Sequence, residues 1–254
     1  MKANHIILTL LVLASLTSCV TNKKLTYLQD EMANDDTIKS VTPSAYKILP
    51  FDNLFIRVVT PDPNLSAMFN TLPVSSNSVT VTEQSVDMVS YTVDIDGYIL
   101  LPYAGRILVE GKTLNAVTAE VEKILKEYIA DAAITVKLVN NYVSLLGEVQ
   151  RPGKYPIYKE RMNIFQALAM AGDLGDFSDR QKLQFIRPTP HGNIIKEISL
   201  NDRSIMTSEF FFVLPNDVIY AKPVKGRFFR LNTFPYSTIL STITTFVLLR
   251  TVIK

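Results

Sequence analysis

The chain has 254 residues, 47% of them hydrophobic and 20% charged, which is enough apolar material for one large or two small cores and excludes a wholly disordered protein. Its 26 basic and 24 acidic residues leave a formal charge of +2 with no concentrated basic stripe, which argues against a nucleic-acid partner. One cysteine cannot form an internal disulfide, so the fold must be held by its core, helped by oligomerisation.

Residues 1–18 combine Lys2, an apolar stretch at 6–16 and small residues ahead of Cys19, the pattern of a secretory signal peptide. Leu16-Thr17-Ser18-Cys19 resembles a lipobox, which makes Cys19 the expected lipidation site. Acyl chains contribute about 0.8 kcal/mol per buried methylene, so more than one chain suffices to hold a protein on a bilayer. Residues 19–43 are polar without sustained periodicity and read as a lipidated tether.

The next unit spans residues 44–139. "YKILPFDNLFIRVVT" predicts two short strands broken at Pro50-Phe51-Asp52-Asn53, with Leu54, Ile56 and Val58 alternating in the second. Residues 61–90, rich in Ser, Thr, Asn and Pro, read as a long loop or loose hairpin. Asp96-Gly97 lies between apolar runs and predicts a type I′ hairpin turn; Asp94 and Asp96 lack the further oxygen ligands of a calcium loop. Thr113 is the expected N-cap of a helix with Leu114, Val117, Val121, Ile124 and Tyr128 on one face. The strand "AAITVKLV" then closes an α+β unit.

Residues 140–223 predict a second α+β unit. Strands at 142–146 and 153–158 flank a turn at 149–153. Asn163 with Gln166 has the form of a capping box opening a helix at 164–171, with Gly172 at its C′ position. Strands at 183–187 and 194–200 meet at the turn His191-Gly192-Asn193, and "FFFVLPNDVIYAKP" predicts a last strand pair.

A basic linker at 224–233 leads to "FPYSTILSTITTFVLLRTVIK" at 234–254. A lone membrane-spanning helix needs about 20 mostly apolar residues, and this stretch is rich in Ser and Thr. Thr238, Ser241, Thr242 and Thr245 obey i, i+3, i+4, i+7 spacing and form one hydroxyl stripe, with Ile239, Leu240, Ile243, Phe246, Val247 and Arg250 over much of the rest. Three readings are open: a core helix, a single anchor, or one stave of an oligomeric helical barrel. The stave gives both faces a role and makes those four hydroxyl residues the expected pore lining.

Catalytic and metal-binding patterns are missing from the sequence. His191 is the only histidine beyond the signal, and it lies in a turn without a Gly-x-Ser-x-Gly elbow, a His-Glu-x-x-His run or a paired cysteine. No glycine falls in a phosphate-loop pattern, and Glu120 and Glu122 sit on the solvent side of an amphipathic helix. No catalytic, metal or cofactor residue is assigned, and the chain is expected not to be an enzyme. Asp52 and Gly97, Gly105, Gly111, Gly147 and Gly153 read as turn formers.

These residues also carry a family resemblance. "YKILPFDNLFIRV", "VDIDGYILLPYAGRILVEGKTLNAVTAEVEKIL" and "AAITVKLV" resemble the polysaccharide export domain. "VSLLGEVQRPGKYPI" with "NIFQALAMAGDLGDFSD" resembles the soluble ligand-binding β-grasp (SLBB) domain. With the lipobox, this order is similar to that of outer-membrane polysaccharide export lipoproteins of the Wza type. The resemblance implies an α+β fold class: a polysaccharide export domain, one β-grasp-like SLBB domain and a C-terminal amphipathic transmembrane helix. It implies a homo-oligomeric ring, lipid-anchored in the cell outer membrane with its bulk in the periplasm. Such a ring passes a capsular or extracellular polysaccharide and docks on an inner-membrane copolymerase of the tyrosine-kinase type. The chain departs from the family in having Phe51 where Gly is usual before Asp52, Gly172-Asp173 where Gly-Gly is common, and one SLBB unit where larger members have more, which implies a shorter ring. The alternative from another class is a periplasmic glycan-binding or envelope scaffold lipoprotein without a pore. A glycan-processing enzyme is disfavoured for want of a suitably spaced acid pair.

Overall fold

The computed structural model describes residues 26–29, 41–70, 89–129, 131–139, 141–159, 161–224 and 236–252. The signal peptide, Cys19, most of the tether and the linker at 225–233 lie outside the described residues. Helix and strand are mixed throughout, an α+β fold, and the buried apolar side chains form two separate clusters, one from Ile48 to Val136 and one from Val143 to Ala221.

In the first unit, β1 (Asn53–Val59) buries Leu54, Ile56 and Val58, as the alternation predicts. It lies between β2 (Tyr91–Thr92) and β5 (Ala133–Leu138), antiparallel to both. Helix α1 (Pro63–Phe69) precedes β2, and a separate hairpin pairs β3 (Tyr98–Leu101) with β4 (Gly105–Leu108). Helix α2 (Leu114–Leu125) starts at Thr113, whose Oγ1 accepts from the Ala116 N–H at 3.3 Å, and buries Val117, Val121 and Leu125. It ends there, so Tyr128 is exposed and the buried face turns toward Leu125.

Several expectations change in detail. The "YKIL" segment is no strand: Ile48 bonds through its N–H to Lys112 O and through its carbonyl to the Gly111 N–H, bridging to the approach to α2. The stretch at 61–90 opens with α1, whose signal was Asp62 as N-cap, accepting from the Asn64 N–H at 2.8 Å, with Pro63 at the start; residues 71–88 lie outside the described residues. At Asp96-Gly97 the chain turns without a type I′ hairpin. Of the two, Gly97 alone has positive φ, 83°, and the turn is held by Asp94 Oδ1 accepting from the Asp96 and Tyr98 N–H groups. The flanking residues then join different sheets, and the hairpin bends at 102–104, where Tyr103 has a φ of 62°.

The second unit contains β6 (Tyr142–Gly147), β7 (Gly153–Pro156), α3 (Ile164–Met170), β8 (Ser178–Thr189), β9 (Gly192–Ile198), a 3-10 turn (Arg203–Thr207) and β10 (Val218–Pro223). Its sheet order is β7-β6-β10-β8-β9, with β10 parallel to β6 and antiparallel to β8. The first and last strands therefore lie side by side in the centre. The capping box forms: Asn163 Oδ1 accepts from the Gln166 N–H at 2.8 Å and Gln166 Oε1 from the Asn163 N–H at 3.0 Å. Gly172 follows the helix end with a φ of 79°. The expected last pair is one strand, because Phe210 and Val213 turn into the core and Phe212 makes only an isolated bridge to Asn163.

Residues 26–29 do not run free as a tether. The Leu28 N–H donates to Leu200 O at 3.1 Å and the Gln29 N–H to Asn201 O at 2.6 Å, while Tyr27 and Leu28 rest on the second core. At the other end, α4 (Tyr236–Val252) exposes every described side chain, which removes the core-helix reading.

The segment before β10 is fixed by a buried ion pair. Arg187 on β8 reaches Asp217 through Nε at 3.0 Å and Nη2 at 2.8 Å, and also donates to the Glu209 and Phe212 carbonyls. Its guanidinium lies 5.0 Å from the Phe185 ring centroid and 5.1 Å from that of Phe210. Asp217 has no exposed surface; burial pushes its carboxyl pKa up against the opposing pull of Arg187. Arg187→Met would strand a buried carboxylate, and urea denaturation is expected to show a loss of about 3–5 kcal/mol.

Candidate functional site

The four expected pore-lining residues lie on α4, and the helix places Thr238, Ser241, Thr242 and Thr245 on one side. Their stripe is shorter than expected. Leu248 and Leu249 follow on the same side at i+7 from Ser241 and Thr242, while Arg250 stands on the apolar side below Ile243 and Phe246. Over its 17 residues the helix has almost no net amphipathicity; the polar face is confined to its first turns.

The hydroxyls are also turned inward along the helix. Ser241 Oγ donates to Thr238 O at 2.8 Å, Thr242 Oγ1 to Ile239 O at 2.8 Å, and Thr245 Oγ1 to Ser241 O at 2.7 Å. Thr244, which the stripe omitted, donates to Leu240 O at 2.9 Å. Hydroxyls satisfied in this way need no water and can face lipid or a neighbouring helix. No helix among the described residues is long and apolar enough to cross a membrane. At 1.5 Å per residue α4 is about 25 Å long, short of a hydrocarbon layer of about 30 Å. Cys19 lies outside the described residues.

The sequence reading missed a polar junction between the two units. Asp52, 1% exposed, accepts through Oδ2 from the Tyr46 hydroxyl at 2.7 Å and the Leu49 N–H at 2.9 Å, which closes the loop before β1. Asn216, beside Asp217 in the second unit, donates from Nδ2 to Asp52 Oδ1 at 3.2 Å and to the Tyr46 hydroxyl oxygen at 3.3 Å. Burial and the Asp52 charge raise the Tyr46 pKa, so its hydroxyl stays a donor. Asn216 holds a φ of 65°, and its N–H donates to Tyr142 O at 2.8 Å. The only sequence signal was Asn-Asp after a proline, which reads as a turn rather than a junction.

Beside this junction a cleft of about 340 Å³ is lined from both units, by Tyr46, Leu114, Asn141, Ile157, Arg161 and Leu214 among others. Among the described residues no carboxylate or imidazole lines it. His191 is exposed in the β8–β9 turn; Glu120 pairs with Lys112, and Glu122 with Lys126 at 3.3 Å. Among the described residues no group of His, Cys, Asp or Glu side chains is arranged to hold a metal.

Residues 40–139, which hold β1, α2, β5 and the Asp52 loop, match the family described as "Polysaccharide biosynthesis/export protein". Two relatives agree, both called "EPS I polysaccharide export outer membrane protein EpsA". The one from Ralstonia nicotianae is 33% identical over 101 residues, 38% of this chain and 26% of the relative. The one from Ralstonia solanacearum is 33% identical over 87 residues, 33% of this chain and 23% of the relative. The chain thus spans about a quarter of the length of the curated relatives it matches. These matches bear out the resemblance over the first unit.

Within the export domain, Phe51 has a φ of 69°, the left-handed conformation that explains why glycine is usual there; Phe costs roughly 1–2 kcal/mol more. Two substitutions separate the local and joining roles of the Asp52 junction. Asn216→Gly keeps the positive φ and removes only the cross-unit bonds, for an expected loss of about 1 kcal/mol, while Asp52→Ala also opens the loop and costs about 3 kcal/mol, both read from urea midpoints.

Proposed function

We propose that this chain is a non-enzymatic subunit of an oligomeric channel that exports capsular or extracellular polysaccharide across the outer membrane. The observation that carries this reading is the export-domain match over residues 40–139, together with relatives named as outer-membrane polysaccharide export proteins. In this reading Cys19 is lipidated and holds the chain on the outer membrane. The two α+β units, residues 44–139 and 140–223, stack into rings open to the polysaccharide, and an inner-membrane copolymerase docks below.

The second unit is proposed to be the SLBB domain. Counted within the unit, its strands lie in the order second, first, fifth, third, fourth with the central pair parallel, and this supports a β-grasp assignment. Helix α4 is proposed as one stave of a helical barrel. Thr238, Ser241, Thr242 and Thr245 would line its upper turns, and neighbouring copies would shield backbone and back-bonded hydroxyls alike.

One observation favours the second reading, a scaffold lipoprotein without a pore: α4 is short and the Ser241, Thr242, Thr244 and Thr245 hydroxyls are already satisfied. Deletion of residues 234–254 separates the two. The channel reading expects polysaccharide at the cell surface to fall at least tenfold while the protein level is unchanged, measured by anti-glycan labelling of intact cells. Surface polysaccharide at the full level would remove the pore role.

A further inference from the structure

We propose that the cleft between the two units is a binding site for an acidic sugar, a short stretch of glycan that carries a carboxylate. The site stands on the chemistry of the cleft; that its ligand is the glycan in transit rests on the export function proposed above.

The two units bring different groups to the cleft. From the second unit come Lys159 and Arg161, both exposed, and neither forms an ion pair among the described residues. With no described acid in the lining, their charge is uncompensated, and an anion entering the cleft is attracted by both. From the first unit come Ser44 and Asn115, also exposed, a hydroxyl and an amide whose side chains are not engaged in hydrogen bonds among the described residues. Leu114 and Leu214, one from each unit, add apolar surface. Two other polar residues drop out. Tyr46 commits its hydroxyl to Asp52, and Asn141 commits Nδ2 to Ile157 O at 3.0 Å while its Oδ1 is enclosed.

This division of groups selects the ligand. A bare anion such as phosphate uses the cations and leaves the hydroxyl, the amide and the apolar surface idle. A neutral sugar uses those and leaves both cations unmatched. A sugar acid engages all of them: its carboxylate accepts from Lys159 and Arg161, its hydroxyls exchange hydrogen bonds with Ser44 and Asn115, and its C–H face rests on the leucines. At about 340 Å³ the cleft is at the small end of ligand sites, which run from about 300 to 1,000 Å³, so it takes a short stretch of glycan and not the length of a polymer. Exposed charges are screened by water, so the hold is weak, as a chain that keeps moving requires. Because both units contribute, an occupied cleft also bridges them beside the Asp52–Asn216 contact.

The test is isothermal titration calorimetry on the full-length protein in a nonionic detergent, with digalacturonate, its neutral counterpart galabiose, and inorganic phosphate as probes. Digalacturonate is expected to bind about tenfold more tightly than either of the others. Its affinity should fall several-fold between about 0.01 M and 1 M salt, as the Debye length shrinks from about 30 Å to about 3 Å. Two variants locate the site. Lys159→Gln combined with Arg161→Gln removes both charges at exposed positions, and Asn115→Asp places an acid in the first turn of α2, where the helix favours it, so both keep the fold. Each should weaken digalacturonate about fivefold or more, with the urea midpoint unchanged. Digalacturonate no tighter than galabiose, phosphate as tight as digalacturonate, or an affinity that neither variant changes would each overturn the proposal. Digalacturonate binding together with full surface polysaccharide after deletion of residues 234–254 supports the site and refutes the channel, so the two claims fail separately.

Discussion

The Arg187–Asp217 pair is the contact on which the second unit depends, because it fixes the crossover that brings the last strand into the middle of the sheet. Parallel neighbours such as β6 and β10 cannot be joined by a tight turn, so all of the chain between them must fold over before β10 can enter. Arg187 gathers that returning chain at Glu209, Phe212 and Asp217, and the edge-to-face rings of Phe185 and Phe210 lie against its buried guanidinium. Asp217 in turn accepts from the Leu214 N–H at 2.6 Å, which shapes the turn that presents Asn216. Because Asn216 is the residue that reaches Asp52, the same loop closes the second sheet and joins it to the export domain.

The two places where the chain departs from the glycines usual in the family it resembles carry left-handed backbone, and they are used differently. Asp173 recovers its conformational cost through a short hydrogen bond from Tyr27 and one from its neighbour's N–H, at 2.7 Å to Leu174. Phe51 has its N–H bonded to Val93 O at 2.9 Å while its ring stands 67% exposed, so its strain is not offset by burial within one chain. Both lie at loops next to the elements that join units or tether them.

Local rules were legible where one interaction decided the outcome. Thr113 and the Asn163–Gln166 box opened their helices as read, and Leu54, Ile56 and Val58 alternate into the core because β1 is central in its sheet. Asp62-Pro63 was an equally good helix signal, hidden within a run of Ser, Thr and Asn that suggested a loop. The Asp52–Asn216 junction and the Arg187–Asp217 pair were not legible, since partners 164 and 30 residues apart leave no periodic trace. The short apolar pair Tyr27-Leu28 inside a polar tether is a signal visible only once its docking surface exists. On α4 the spacing of four hydroxyls was read correctly, but the wheel was not carried into the last turn, where Leu248 and Leu249 end the stripe.

In the function we propose, the first unit, the second α+β unit closed around its buried ion pair and the C-terminal helix repeat around an axis. Among the described residues no helix is long and apolar enough to cross a membrane, and the proposed barrel would set copies of this helix side by side. The most direct test of this account is electron microscopy of the full-length protein extracted from membranes in mild detergent. The account predicts closed rings with a central opening and a crown of helices at one end, and particles that remain single chains at every concentration would contradict it.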